Sequence, residues 1–243
     1  MPNVVFISPK GGAGKTTAAV ALALGLAERG QRVALIDSDP NKPLVRWAAL
    51  PNRLPHNGSG GITVHPAPTV QDIRDAAREA GRLAPDWTIL DTEGTERGGV
   101  VLAALRFDLV LTPLAGSHLD LAEAIKAAET VRAFGRRGGR PIPHRALLTR
   151  IPAAIKPRML KSVVAALREA GVEILPTALV EKEAFRALFA IGGGFEALEL
   201  NGVFGADAAR RNAAAFVEDV ARVIEARGDA PADVGVASGV PAR

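Results

Sequence analysis

Residues 9–17 read Pro-Lys-Gly-Gly-Ala-Gly-Lys-Thr-Thr, and an apolar run, Val4-Val5-Phe6-Ile7, leads directly into them. Glycines at 11, 12 and 14 let the backbone curl with its N–H groups aimed inward. With the N-terminus of a helical stretch, Ala18 to Arg29, behind it, such a loop cradles polyphosphate. The expected binding segment is Gly11, Gly12, Ala13, Gly14, Lys15, Thr16 and Thr17. Lys15 would neutralise β and γ oxygens, and the Thr16 hydroxyl would hold magnesium. Strand, glycines, lysine, threonine and helix follow in the required order, which a chance glycine turn carrying lysines would not produce. A further apolar run ends in an acid, Trp87-Thr88-Ile89-Leu90-Asp91. An acid there can serve magnesium, often through water, or simply cap the strand end.

A second lysine, Lys10, precedes Lys15 by five residues. Lys10-Gly11-Gly12-Ala13-Gly14-Lys15-Thr16-Thr17 thereby resembles the deviant Walker A loop of the ParA/MinD (Soj-like) ATPases. Asp37-Ser38-Asp39-Pro40-Asn41 is similar to that family's second acidic motif, with Asn41 in place of the usual Gln. The resemblance implies ATP and Mg2+ as ligands. It makes Lys10, Lys15 and Asp39 the catalytic groups, with Lys10 reaching across a dimer interface and Asp39 orienting the attacking water. It places Asp37 near a magnesium shell made with Thr16 and Asp91. After Asp91 the family commonly has prolines, whereas this chain reads Thr92-Glu93-Gly94-Thr95-Glu96, a more polar segment. That run, together with residues 37–47 and their Trp47, resembles the short VirC-type ATPases of conjugative transfer more than typical chromosomal Soj proteins. The resemblance spans about residues 3–225 and is weakest after residue 150. Pro176-Thr177-Ala178-Leu179-Val180 departs from the family's base-side loop.

Short apolar runs alternate with helical ones along the chain, the pattern of βαβ units. The expected class is α/β: a doubly wound, mostly parallel β-sheet flanked by helices, a P-loop NTPase with deviant Walker A. Strands are expected at 3–8, 32–37, 62–65, 87–91, 108–113, 145–149 and 173–175. Helices are expected at 15–29, 70–82, 119–134, 157–170, 182–190 and 207–226, with residues 51–61 a flexible loop. The first helix shows a narrow apolar face of Ala19, Leu22 and Leu26 toward the sheet. Residues 1–226 read as one ATPase domain and 227–243, rich in Ala, Gly, Pro and Asp, as a disordered tail.

The chain has 243 residues, 48% of them hydrophobic, no cysteine, and a formal charge of +4. Without cysteine, disulfides, thiolate metal sites and cysteine nucleophiles are excluded. No apolar run reaches about eighteen residues, so no membrane span is expected. No leader peptide and no preceding helix-turn-helix domain are expected, and the expected compartment is the cytoplasm; association with the nucleoid is what the resemblance implies. The four histidines are scattered and lack metal spacing. Trp47 reads as a core or dimer-interface residue rather than a ligand contact.

Charge is unevenly placed. Arg132, Arg136, Arg137, Arg140, Arg145, Arg150, Lys156, Arg158, Lys161 and Arg168 occur without one intervening Asp or Glu. The stretch is either a phosphate-binding surface or a solvated basic face. Phe134 is its sole aromatic, so duplex backbone contact suits it better than base stacking. The candidate DNA contacts are Arg136, Arg137, Arg140, Lys156, Arg158 and Lys161. Three functions follow from the resemblance. One is ATP-dependent dimerisation with nonspecific duplex DNA binding and a ParB-like or other activating partner, segregating a plasmid, a chromosomal region or a protein cargo. The others are a VirC-type accessory role in DNA transfer and a MinD-like membrane cycle. The last is not expected, because helix 207–226 reads as packing against the core.

Overall fold

The computed structural model describes residues 1–9, 11–57, 60–94, 101–102, 105–151, 157–180 and 183–228. Its strands are β1 (Asn3–Phe6), β2 (Arg32–Asp37), β3 (His56–Asn57), β4 (Gly60–Pro66), β5 (Trp87–Asp91), β6 (Leu109–Leu114), β7 (His144–Ile151) and β8 (Leu179–Val180). Its helices are α1 (Lys15–Ala27), α2 (Pro43–Ala48), α3 (Val70–Arg82), α4 (His118–Arg137), α5 (Pro157–Glu169), α6 (Glu183–Ile191), α7 (Phe195–Leu200) and α8 (Ala206–Gly228). The sheet order is β3-β4-β2-β5-β1-β6-β7-β8. Every pairing is parallel except the short antiparallel β3–β4. After β1 the chain steps outward to β2, and later returns to add β6, β7 and β8 on the other side. In doubly wound sheets this reversal opens a crevice at the carboxyl ends of the strands, where ligands bind.

Register supplies the first part of the site. Phe6 pairs with Asp91, and Asp37 pairs with Asp91. The strand-end acids therefore lie side by side, level with the point where β1 enters the loop.

Helices cover both faces. α1, α2, α6, α7 and α8 share one core with β1, β2 and β5. α3 and α4 lie against the other, built on Val5, Ile36, Leu90 and Val110. α4 and α5 close a third cluster over β7. Contrary to the narrow stripe expected of it, α1 is buried all round from Ala18 to Ala27. The reason is α8, which packs on its outer side so tightly that a Cβ on Gly25 would meet Val217 Cγ2 at 2.8 Å.

Other differences have local causes. Residues 173–175 form no named strand; Ile174 makes one isolated bridge to Ala146, and the sheet ends instead at β8. Strand β4 begins at Gly60, inside the segment expected to be loop, and passes so close to Gly30 that a Cβ at Gly60 would lie 2.8 Å from the Gly30 carbonyl carbon. The six-residue helices α2 and α7 were not anticipated. Trp47, on α2, is buried in the core. The tail from residue 229 lies outside the described residues.

Candidate nucleotide and cation site

The loop between β1 and α1 owes its shape to its glycines. Gly12 and Gly14 take φ of 79° and 92°, a left-handed conformation that a side chain would strain. Gly14 is the N-cap residue of α1, and no side chain caps that end. The first-turn N–H groups of α1 thus face the loop, the arrangement that receives an anion. Thr149, at the end of β7, donates through Oγ1 to the Ala13 carbonyl at 2.7 Å and braces the loop from the side.

Lys15 is buried, and burial pushes its ammonium below the usual lysine range, while Asp91, Asp39 and Glu93 pull it back. A cation held in this way is drawn to phosphate charge without needing to shed much water. Thr16 donates from Oγ1 to Asp91 Oδ2 at 2.7 Å. Asp91 is fully buried, and desolvation pushes its carboxyl up to about 7 against the opposing pull of Thr16 and Lys15. Its other oxygen, Oδ1, is buried with no hydrogen-bond partner. Such an orphan acceptor beside a hydroxyl fits a divalent cation or the water on one. Among the described residues no three acidic or histidine side chains cluster closely enough to ligate a metal themselves. A cation here would therefore take its remaining ligands from phosphate and water, as magnesium does.

Asp37 is engaged differently. Its Oδ2 accepts the Leu44 and Val45 N–H groups at 2.9 and 3.0 Å, and its Oδ1 accepts Asp39 N–H at 3.3 Å. It thereby anchors the start of α2, although desolvation raises its pKa. Asp39 accepts the backbone and side-chain N–H groups of Asn41 through Oδ1, at 2.8 and 3.0 Å. Asn41, the departure from the usual Gln, thus fixes the rotamer of the acid before it. Thr92, first of the polar run after Asp91, donates to the Phe6 carbonyl at 2.7 Å. Lys10 and residues 95–100 lie outside the described residues.

Beside the loop opens a cavity of about 290 Å³, lined by Gly14, Thr17, Thr149, Arg150, Leu179, Val180, Phe185, Arg186 and Phe189. Its apolar wall suits a planar base and its mouth touches the loop's last glycine. Phe185 and Phe189 carried no signal in the sequence, since apolar residues on a short helix read as core. Arg150 is exposed and holds φ at 51°, a conformation rare outside glycine.

The basic stretch is split. α4 starts beyond β6 at the loop edge of the sheet and must run back to reach the start of β7. Arg136, Arg137 and Arg140 consequently lie at the far edge, whereas Arg150 and Lys161 follow β7 back to the loop edge. Arg132 donates to the Ala170 and Gly171 carbonyls, and Arg145 pairs with Glu173 at 2.7 Å, so both are used internally. Lys156 and the Arg158 side chain lie outside the described residues.

Parallel sheet, glycine loop, buried lysine and threonine-bound acid define a P-loop NTPase fold of the ParA/MinD class. The chain belongs to the VirC1 protein family, which it matches over residues 1–225. It is 34% identical over 199 residues to "Protein ParA" of Rhizobium radiobacter, covering 82% of this chain and 87% of that one. It is 31% identical over 194 residues to "Protein virC1" of Rhizobium rhizogenes, with 77% and 80% covered. Among solved structures, apo McdA of Cyanothece superposes with a TM-score of 0.66 at 17% identity, over 90% of this chain and 99% of that one. The structure of pNOB8 ParA bound to nonspecific DNA gives 0.60 at 17% identity, over 93% and 99%.

Proposed function

We propose that this chain is an ATP-dependent dimerising ATPase that binds duplex DNA without sequence preference and segregates or positions a cargo. The observation that carries the reading is the buried constellation of Lys15, Thr16 and Asp91 around a glycine loop. The names of its relatives support it: ParA at 34% identity, and a ParA fold neighbour captured on nonspecific DNA.

In this reading the loop N–H groups and Lys15 bind the β and γ phosphates, and the apolar cavity takes the base. Magnesium, if held by Thr16 and the unpartnered Oδ1 of Asp91, would supply charge neutralisation at the transferring phosphoryl group. Asp39, held by Asn41, orients the attacking water. Lys10 of a second subunit meets the triphosphate, which couples nucleotide occupancy to dimerisation. Two basic surfaces then act together and raise DNA affinity through avidity. Hydrolysis removes the charge that Lys10 serves, and the dimer parts. Turnover is slow until an activating partner protein, ParB-like or of another kind, accelerates it. The protein works in the cytoplasm on the nucleoid. The large apolar residues of α8, Phe216, Val217 and Val220, are buried against the core and thus unavailable to a bilayer.

The test is dimer formation and retention on duplex DNA in a non-hydrolysable ATP analogue, compared between the wild type and Lys10→Ala. A variant that still dimerises and binds DNA fully removes the coupling from the reading.

The VirC1 family match over residues 1–225 favours a second reading, an accessory role in conjugative DNA transfer. That role calls for preference for a transfer-border duplex over random DNA, whereas partitioning needs none. Competition binding between the two duplexes separates them.

A further inference from the structure

We propose that the arginine cluster at the end of α4 is a duplex-phosphate contact that works in a single subunit without bound nucleotide. The proposal rests on the DNA-binding reading above and divides it into two contacts with different requirements.

Position is the first argument. Arg136 and Arg137 end α4, and Arg140 follows in the turn before β7, which begins at His144. The eight residues of β7, about 23 Å at strand rise, separate this turn from the loop edge. If dimerisation joins the loop edges, the cluster faces away from the joint and gains nothing from it.

Availability is the second. Arg136, Arg137 and Arg140 are all exposed, and none pairs with a carboxylate among the described residues. Eight other arginines do form such pairs, and Arg132, one turn earlier on the same helix, is spent on the Ala170 and Gly171 carbonyls. Arg150, Lys161 and Arg168 of the same stretch are likewise exposed without a carboxylate pair among the described residues. Arg150 and Lys161 lie at the loop edge, so the cluster and Arg168 are the stretch's uncommitted charges at the far edge.

Shape is the third. The turn is closed by Gly138 N–H to the Phe134 carbonyl at 3.0 Å and Arg140 N–H to the Gly135 carbonyl at 3.1 Å. A Cβ on Gly135 would lie 3.1 Å from the Arg140 carbonyl oxygen, so glycine lets the chain fold back closely there. Three guanidinium groups are thereby presented from five consecutive residues on a fixed turn. Attraction to the helix C-terminus accounts for arginines in the last turn of α4. It does not account for Arg140, which lies beyond the helix. Arg106, before β6, and Arg168, at the end of α5, are exposed at the same edge and widen the patch, with Asp108 and Glu169 as its nearby acids. Guanidinium forks suit phosphate oxygens. Phe134 is packed into the core beneath, which leaves no aromatic platform for single-strand stacking.

The experiment measures binding of the full chain to a short labelled duplex of arbitrary sequence, without nucleotide and with a non-hydrolysable ATP analogue, across a salt series. R136A/R137A/R140A is compared with the wild type, with the all-lysine variant, and with R53A/R74A/R211A, which removes equal charge elsewhere. The expected result is loss of nucleotide-free binding in the first variant alone. Its log–log salt slope shrinks by about 2.7, from roughly 0.9 per phosphate contact. The lysine variant retains binding, and the nucleotide-induced gain survives in all. Equal weakening by both alanine triples, or wild-type binding by the first, overturns the proposal while leaving ATP-dependent DNA binding intact. Absence of any nucleotide-induced gain in the wild type, with nucleotide-free binding still lost in the first variant, instead overturns the broader reading and keeps this one.

Discussion

Thr149 and Ala13 are 136 residues apart in the chain, yet the hydroxyl of one donates to the carbonyl of the other at 2.7 Å. The end of β7 thus holds the phosphate loop from the flank opposite Asp91. The same threonine lies against Gly14, where an added Cβ would come within 3.3 Å of Oγ1.

Replacing Thr149 with valine keeps the volume and removes the donor, leaving a buried carbonyl without its partner. The cost is about 1–3 kcal/mol of stability. Because the lost bond fixes the loop, nucleotide affinity should fall together with the melting temperature. Thermal unfolding and titration with a fluorescent ATP analogue report the two effects. A fall in melting temperature with unchanged affinity would assign Thr149 to stability alone.

Asp91→Asn tests the cation site. The amide oxygen can still accept from Thr16, but the charge facing a cation is gone. The magnesium concentration needed for half-maximal nucleotide binding should rise roughly 10- to 100-fold, the range seen when partners of a bound metal are removed. Nucleotide binding in EDTA should change little. An unchanged magnesium titration would leave Asp91 as a strand-end cap.

Gly25→Ala tests the contact between α1 and α8. Alanine gains about 1 kcal/mol in helix propensity over glycine. Against that, its Cβ must enter space 2.8 Å from Val217 Cγ2 and 3.3 Å from the Ala213 carbonyl. Overpacking of this kind costs about 1–3 kcal/mol, so net destabilisation is expected. Val217→Ala in the same chain should recover part of the loss, as read from denaturant midpoints. No recovery in the double variant would place the strain elsewhere.

His144 sets an acid limit. Its Nε2 lies 2.8 Å from Thr112 Oγ1, and burial, then Arg132 and Arg145, lowers its pKa to about 4. The folded chain keeps the ring neutral, while the unfolded chain takes up a proton below the ordinary value near 6.5. Stability is therefore whole above about pH 6.5 and declines as pH falls toward 4. The ceiling is about 1.4 kcal/mol per pKa unit, and the ring's partial exposure keeps the loss below it. His144→Gln should flatten the dependence of denaturant midpoint on pH in that window. An unaltered slope would shift its origin to other groups.

Much of the site was legible because its chemistry is local. The glycines, Lys15 and Thr16 are contiguous, and Asp91 closes an apolar strand, so parallel register alone brings them together. The partners that brace them were not legible in the same way. Thr149 showed only as a residue at a strand end, and its bond to Ala13 depends on which strands are neighbours. Phe185 and Phe189 look like core until the cavity is seen. Helices α2 and α7 are too short to display a period, and the start of α2 depends on a carboxylate from another element. Whether the basic stretch forms one surface was not legible either. Its residues are neighbours in sequence, but a helix and a strand carry them to opposite edges of the sheet.

Strand β8 has two residues, yet α8 services its backbone: Asn212 accepts Val180 N–H at 3.1 Å and donates to the Ala178 carbonyl at 2.9 Å. One amide side chain so occupies hydrogen-bonding groups that an open margin would offer to a strand from another molecule. Asn212→Ala would unmask that margin, with chain-to-chain sheet growth and precipitation as the consequence. The same plug closes that margin to a second copy of the chain.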